Sequence, residues 1–338
     1  MSSSSDRILI FRQSSLGDVI LTLPVAQRLH ESYPDAQIDY LTKSAYAPVV
    51  KHHPSIKNVL TFLDNKSFLE LLPGLRSAKY NLFMDLQGNF RSALIKSALF
   101  PIQTLKYNKR RIAREKIIHR PQLKLTVGHT LNAYLAPLRH LNLDISPTPP
   151  IVHLPGEAVR FAEDFINRSQ LNEVGNLIAF CPGARHFEKR WPYGNFKEVA
   201  NRLLEEPSIG IVVFSSEKDD LPACIDIAHP HLVAARDFET LNTAAIVAKC
   251  RIALTNDSGL MHLANAVKVP VLAIFGPTNP RLGFAPTLPG SKVICDDIPC
   301  SPCSVHGQKP CSQPEKYCFK GITPERVYLQ LRQMLENL

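Results

Sequence analysis

The chain has 338 residues, of which 45% are hydrophobic, and a formal net charge of +9. That length suggests two domains of ordinary size, each with its own core, and the basic balance favours an anionic partner: a phosphorylated substrate, an anionic membrane surface or nucleic acid. No apolar run is long enough to span a bilayer, and residues 1–6 are polar and Ser-rich, without the basic and apolar regions of a signal peptide, so the expected compartment is the cytoplasm.

Residues 7–11 (RILIF) read as a first strand. The polar loop Arg12-Gln13-Ser14-Ser15-Leu16-Gly17-Asp18 follows, then a helix over 19–31 with Val19, Leu23, Ala26 and Leu29 on one face. The loop is not G-x-G-x-x-G, so the dinucleotide fingerprint is absent. Asp18 at the helix start has two readings: a charge favoured by the helix dipole, or a carboxylate available as a general base. Strands are expected at 37–41, 59–63 and 81–86, alternating with helices at 45–52, 66–78 and 91–99. That alternation implies a doubly wound parallel sheet. Gln87, Asn89 and Arg91 lie just past a strand end, on the same rim as Asp18, where polar groups could hold a sugar.

Residues 106–124 carry Lys106, Lys109, Arg110, Arg111, Arg114, Lys116, Arg120 and Lys124 against one acid, Glu115. Such a run is an ordinary solvated face or, at this density, a contact for phosphates or anionic lipid. The segment lacks the aromatic interleaving of a single-strand nucleic-acid groove, so no nucleic acid is expected. An amphipathic helix is expected at 129–141. The prolines Pro147, Pro149, Pro150 and Pro155 then mark a linker. A second alternating series follows: helix 157–168, strand 176–180, helix 193–205 and strand 209–214. Lys189-Arg190 in the loop before residue 193 could meet a diphosphate, or could be surface charges beside a packing Trp191.

Residues 251–280 form the clearest unit, a buried strand, the turn Asn256-Asp257-Ser258-Gly259, a helix with Leu260, Leu263, Ala264 and Val267 on one face, and a strand ending at Gly276-Pro277. A helix N-terminus at a strand's carboxyl end favours an anion. Gly259 permits close approach of a ligand to the backbone, and His262 one turn on could donate a hydrogen bond. An ordinary capped helix gives the same pattern. Cys300, Cys303, Cys311 and Cys318 form C-x-x-C…C…C before a final helix at 324–338. They could hold a structural zinc, or serve as loop packing or a labile disulfide.

Six stretches in order, RQSSLGDVILTLP (12–24), MDLQGNFRSAL (84–94), CPGARHFEKRWP (181–192), TNDSGLMHLANA (255–266), FGPTNP (275–280) and ITPERV (322–327), resemble glycosyltransferase family 9, the ADP-heptose:lipopolysaccharide heptosyltransferases. The cysteine pattern most resembles the heptosyltransferase II branch. The resemblance implies a GT-B fold: two Rossmann-like doubly wound domains facing a central cleft. The expected boundaries are an acceptor domain with linker at 1–155, a nucleotide-sugar domain at 156–322, and a helix at 323–338 packing back on the N-terminal domain. It implies inverting transfer of heptose from ADP-L-glycero-beta-D-manno-heptose to the inner core of lipopolysaccharide, by a protein peripheral to the cytoplasmic face of the inner membrane.

By resemblance, Asp18 is the catalytic base and Lys189 meets the donor diphosphate. Asp257, Ser258, Gly259 and His262 form the diphosphate-and-sugar loop, Glu217 lies near the nucleoside and Phe238 flanks the base. Ala184 and Arg185 stand where some relatives have hydroxyl residues, and Leu21 stands where a histidine is common. Acceptor contacts are expected from Ser15, Gly17, Gln87, Asn89, Arg91, Arg111 and Arg114. No Asp-x-Asp metal motif is present, so no obligatory divalent ion or other cofactor is expected. Three further readings stay open: a family 9 transferase with another donor or acceptor, a nucleotide-sugar epimerase of GT-B fold, and a non-enzymatic basic binding protein.

Overall fold

A computed structural model describes residues 6–216 and 228–338. It falls into two compact units. One takes the chain up to Lys109 together with Thr130–His153; the other takes Arg110–His129 together with Leu154–Leu338.

Among the described residues the first unit holds a five-stranded parallel sheet. Its strands are β1 (Arg7–Phe11), β2 (Gln37–Lys43), β3 (Asn58–Phe62), β4 (Leu82–Asp85) and β5 (Gln103–Lys106), in the order β3-β2-β1-β4-β5. The chain works outward from β1 to β3, then returns to pair β4 on the other side of β1. The order therefore reverses between β1 and β4. The loops leaving these two strands are the natural site for a ligand.

The region expected as one helix over 19–31 is two: α1 (Leu16–Leu21) and α2 (Leu23–Ser32). Thr22 separates them, its hydroxyl donating to the Val19 carbonyl at 2.7 Å and meeting the Tyr40 hydroxyl at 2.6 Å. Pro24 has no N–H to continue the helix ladder across the break. The remaining helices of this unit are α3 (Pro48–Lys51), α4 (Asn65–Ser77), α5 (Phe90–Ala98) and, after α6 (Arg111–His119) of the second unit, α7 (Thr130–Leu135). The helix expected over 129–141 continues beyond α7 only as a tighter turn at Ala136–Leu141, where Pro137 interrupts the α pattern.

The second unit holds a six-stranded parallel sheet among the described residues: β6 (Asn176–Cys181), β7 (Ile209–Ser215), β8 (Leu232–Arg236), β9 (Ile252–Asn256), β10 (Val271–Phe275) and β11 (Lys292–Cys295). The order is β11-β10-β9-β6-β7-β8, so the reversal lies between β6 and β9. Its helices are α6 (Arg111–His119), α8 (Gly156–Arg168), α9 (Tyr193–Leu203), α10 (Thr240–Val247), α11 (Gly259–Ala266), α12 (Tyr317–Lys320) and α13 (Pro324–Glu336). Alternate residues of each central strand enter opposite cores. Ile178, Phe180, Ile252, Leu254, Leu272 and Ile274 pack with Trp191 and Phe196. Leu177, Ala179, Cys181, Ala253, Val271 and Ala273 pack with Ala162 and Ile246. Burial on both faces is why these strands read as unbroken apolar runs.

Two expected boundaries are corrected. The basic segment belongs to the second unit from Arg110 onward: Arg114 donates from Nε to the Leu282 carbonyl at 3.1 Å, the Val127 N–H to the Arg281 carbonyl at 3.2 Å, and Lys124 pairs with Asp297 at 2.7 Å. The final helix, expected to pack on the N-terminal domain, instead packs along α9. Val327, Leu331 and Met334 complete the core around Trp191 and Leu203, and Arg202 and Arg332 pair with Glu325 and Glu206. The amphipathic stripe of α13 could not reveal which domain supplied the matching face.

Strands β5, β8 and β11, and helix α10, had no counterpart in the sequence reading. All three strands are sheet edges with half-exposed residues, so their apolar pattern is diluted. Among the described residues no helix is long and apolar enough to cross a membrane.

The first unit also buries an ionisable group. His53 lies edge-on to His153 with ring centroids 5.3 Å apart, and its Nδ1 accepts the Ser55 N–H at 3.3 Å. Burial, then the neighbouring His153 and His30, push the His53 pKa down to about 4. An unfolded histidine protonates near 6.5, so below that pH the unfolded chain binds a proton that the fold refuses. Stability contributed by neutral His53 is complete above about pH 6.5 and falls as pH drops toward 4, by up to about 3 kcal/mol. In urea unfolding, His53→Gln should lose less stability than the wild type between these pH values. Equal losses would exclude His53 as the source.

Candidate active site

In the first unit the loop after β1 brings a carboxylate and a guanidinium together. Arg12 is buried, and its NH2 pairs with Asp18 Oδ2 at 2.8 Å. Its NH1 donates to the Leu86 carbonyl at 2.8 Å and to the Tyr107 hydroxyl at 3.1 Å. The Tyr134 hydroxyl donates to Asp18 Oδ1 at 2.8 Å, and Arg12 stacks over the Tyr134 ring at 5.3 Å. Ser15 adds its N–H and its hydroxyl to Asp18 Oδ2 at 3.3 and 3.1 Å. Burial, then the Asp18 charge, raises the Tyr134 phenol well above its ordinary value, so it stays a donor. The side chain of Asp18 remains 16% exposed. The carboxylate is thus fixed from both oxygens yet open to a reactant.

The loop after β4 is shaped by Asp85, whose Oδ1 accepts from the Gln87 N–H at 3.0 Å, the Gly88 N–H at 2.6 Å and the Ser92 hydroxyl at 2.7 Å. Gly88 takes a left-handed φ of +61° in this turn. Gln87 accepts the Gln13 N–H at 3.0 Å and ties this loop to the one after β1. Asn89 caps α5, accepting the Ser92 N–H at 3.1 Å. Arg91 donates to Gln13 Oε1 at 3.1 Å and stacks over Phe62 and Phe68. Of the expected acceptor group, Ser15, Gly17, Gln87, Asn89 and Arg91 therefore share the β1–β4 switch point with Asp18. Arg111 and Arg114 belong to the second unit, where Arg111 is exposed and Arg114 is buried over the Phe284 ring at 4.6 Å.

In the second unit the loops after β6 and β9 converge. Lys189 Nζ pairs with Asp257 Oδ2 at 2.7 Å, with side chains 14% and 9% exposed. Thr278, from the loop after β10, donates its hydroxyl to the same oxygen at 2.6 Å. Ser258 stands at the N-terminus of α11, and its buried hydroxyl meets no hydrogen-bond partner among the described residues. Gly259 begins the helix, and His262 is buried one turn along it. Asn256 fixes this geometry: its Oδ1 accepts the Trp191 N–H at 3.1 Å and its Nδ2 donates to the Pro182 carbonyl at 2.6 Å. The two adjacent cations divide their labour. Arg190 braces its own loop through the Ala184 carbonyl at 3.0 Å and the Tyr193 hydroxyl at 2.9 Å, while Lys189 reaches Asp257.

Ala184 is buried, and Arg185 is exposed. Phe238 packs edge-on against Phe161 and Phe165 of α8, at 5.0 and 5.6 Å between centroids. Glu217 lies outside the described residues. Cys300, Cys303, Cys311 and Cys318 line one pocket with Glu188, Pro277 and Lys316, and all four are free thiols. Burial, then its three cysteine neighbours, pushes the Cys318 thiol up to about 12. Among the described residues no three His, Cys, Asp or Glu side chains are grouped to hold a metal ion, so the zinc expectation gains no support from the geometry.

The sequence profile of glycosyltransferase family 9 (heptosyltransferase) matches residues 68–312. The chain belongs to glycosyltransferase family 9. It is 27% identical to lipopolysaccharide heptosyltransferase 1 of Pseudomonas aeruginosa, over 97% of this chain and 98% of that one. Its fold is that of a family 9 glycosyltransferase from Veillonella parvula, with a TM-score of 0.83 at 23% identity, covering 100% of this chain and 99% of the other. It is also that of an E. coli heptosyltransferase with ADP-2-deoxy-2-fluoro heptose, with a TM-score of 0.68 at 18% identity over 97% and 99% of the two chains. The two parallel-sheet domains of this family 9 enzyme are thus of GT-B type.

Arg12 and Tyr134 were not singled out from the sequence. Arg12 adjoins a strand end and Tyr134 lies 116 residues from Asp18, so only the fold joins them. Tyr134→Phe removes a donor to the Asp18 carboxylate, which favours its protonated form. With Asp18 as a base, the acid limb of the activity profile should then move to higher pH. An unchanged profile would exclude Tyr134 from the charge balance of Asp18.

Proposed function

We propose that this glycosyltransferase moves heptose from ADP-L-glycero-beta-D-manno-heptose to the inner core of lipopolysaccharide. The observation that carries this reading is the Lys189–Asp257 pair beside the N-terminus of α11, at the strand-order reversal of the second sheet. A leaving ADP gains negative charge as the glycosidic bond breaks. A lysine and the free N–H groups of a helix start stabilise such charge where it develops. The E. coli neighbour with ADP-2-deoxy-2-fluoro heptose supports adenosine diphosphate as the carrier.

Asp18 is the proposed base. A sugar hydroxyl is a weak nucleophile, and a carboxylate within hydrogen-bond reach takes its proton as the new C–O bond forms. Attack opposite the departing diphosphate inverts the anomeric centre. Gln87, Asn89 and Arg91, on the rim of the same sheet, are proposed to orient the acceptor. Ser258 is proposed to give its unpartnered hydroxyl to the donor. Glu217, Phe238, Ala184 and Arg185 complete the proposed donor group, with Phe238 available as an apolar edge for the adenine. The spacing of Cys300, Cys303, Cys311 and Cys318 favours the heptosyltransferase II branch, and the basic segment carrying Arg111 and Arg114 favours a phosphorylated acceptor at the cytoplasmic face of the inner membrane.

Two outcomes test the reading. Asp18→Asn should lower transfer about 10²- to 10⁴-fold while ADP affinity stays at the wild-type level; near-normal turnover would exclude Asp18 as the base. Lys189→Ala should weaken ADP binding about tenfold in a calorimetric titration, with UDP and GDP as controls. Equal affinity for all three nucleotides would overturn the adenosine donor.

A further inference from the structure

The cysteine-bearing segment between β11 and α12 grips the donor loops on two sides. On one side Ser301 donates its hydroxyl to the Gly276 carbonyl at 2.8 Å, and the Cys303 N–H donates to the Pro277 carbonyl at 2.9 Å. These carbonyls immediately precede Thr278, which holds Asp257. On the other side Lys316 pairs with Glu188 at 3.2 Å, donates to the Phe187 carbonyl at 3.1 Å and lies over the Phe187 ring at 4.0 Å. Phe187 and Glu188 immediately precede Lys189.

Between these two grips lies Gly307, in the left-handed region at φ +71°. A Cβ at this position would stand 2.4 Å from Lys189 Cγ and 2.7 Å from Lys189 Cδ, with Pro277 Cγ at 3.7 Å. Backbone therefore abuts the aliphatic stem of the lysine whose ammonium meets Asp257. A lysine stem has four rotatable bonds and a costly rotamer freedom. A wall along Cγ and Cδ limits where the ammonium can go.

We infer that the 300–318 loop is the positioning element of Lys189, with Gly307 as the contact and Lys316 as its anchor. This rests on the reading of Lys189 as the lysine for the donor diphosphate. Neither residue touches the donor in this assignment; each acts by setting the lysine that does. Cys300, Cys303 and Cys311 lie in this loop and Cys318 on α12; Cys303 Sγ donates to the Cys300 carbonyl at 2.9 Å, which helps to hold the loop's shape.

The test is calorimetric titration of ADP, with adenosine as the phosphate-free control, into the full chain as wild type, Gly307→Ala, Lys189→Ala and the double variant. Gly307→Ala should weaken ADP binding about tenfold and leave adenosine binding within about twofold of wild type. On the Lys189→Ala background it should add no further loss, because the group it displaces is gone. Wild-type ADP affinity in Gly307→Ala overturns the inference, as does equal loss of ADP and adenosine, or full additivity with Lys189→Ala. If Gly307→Ala does not fold, Lys316→Met supplies the same comparison. Unchanged ADP affinity in Lys189→Ala overturns the donor reading itself and this inference with it. That result is distinct from a loss in Lys189→Ala without one in Gly307→Ala, which overturns the inference alone.

Discussion

A parallel sheet buried on both faces places its chemistry at the carboxyl ends of its strands. Every crossover must run over a face of the sheet, so the side chains within the strands are spent on packing. In the second unit Ile178 and Phe180 face one core while Ala179 and Cys181 face the other. Only where the chain leaves the sheet can polar groups gather without burying unmet hydrogen bonds. The strand order then selects among the loops. Between β1 and β4, and between β6 and β9, neighbouring strands send their connections to opposite faces and leave a crevice. Asp18 and Gln87 occupy the first such point, Lys189 and Asp257 the second.

At both points a charge is held out of bulk water by an opposite charge. Arg12 pairs with Asp18 at 2.8 Å, and Lys189 with Asp257 at 2.7 Å. Removing ions from water is costly, and the pairing offsets that cost only where further hydrogen bonds complete the geometry. Tyr107, Tyr134, Ser15 and the Leu86 carbonyl do so for the first pair, Thr278 for the second. Such pairs are pre-set rather than assembled on binding, which is what electrostatic stabilisation of a developing charge requires. The second pair also differs in kind. On the proposed reading of Lys189, an arriving phosphate would compete with Asp257 for the lysine, and the lysine would then need holding near its post by something other than its partner. The neutral wall of the 300–318 loop has that character.

Much of this was legible in the chain. The alternation of apolar runs with amphipathic stretches gave two doubly wound sheets, and the polar loops after residues 11, 86, 181 and 256 marked the carboxyl ends of strands beside the strand-order reversals. Asp18, Lys189, Asp257 and Ser258 were candidates because such loops are short and their polar residues have few places to go. The edges were not legible. β5, β8 and β11 each bury little, and a half-exposed strand of four or five residues carries no clear period. The break at Thr22 was also hidden, since its cause is a hydroxyl contact with Tyr40 on a neighbouring strand.

The sequence by itself determined the fold class, the polar loops at the strand ends and the family, because these depend on local period and on residues adjacent in the chain. Tertiary structure alone decided which groups complete each charge. Tyr134 reaches Asp18 across 116 residues and Gly307 meets the stem of Lys189. It also decided domain membership: the basic segment and the last helix joined the second unit because Leu282, Phe284 and the α9 core offered matching surfaces. A partner distant in sequence leaves no trace in local pattern, since burial and pairing energies depend on what the completed fold brings alongside.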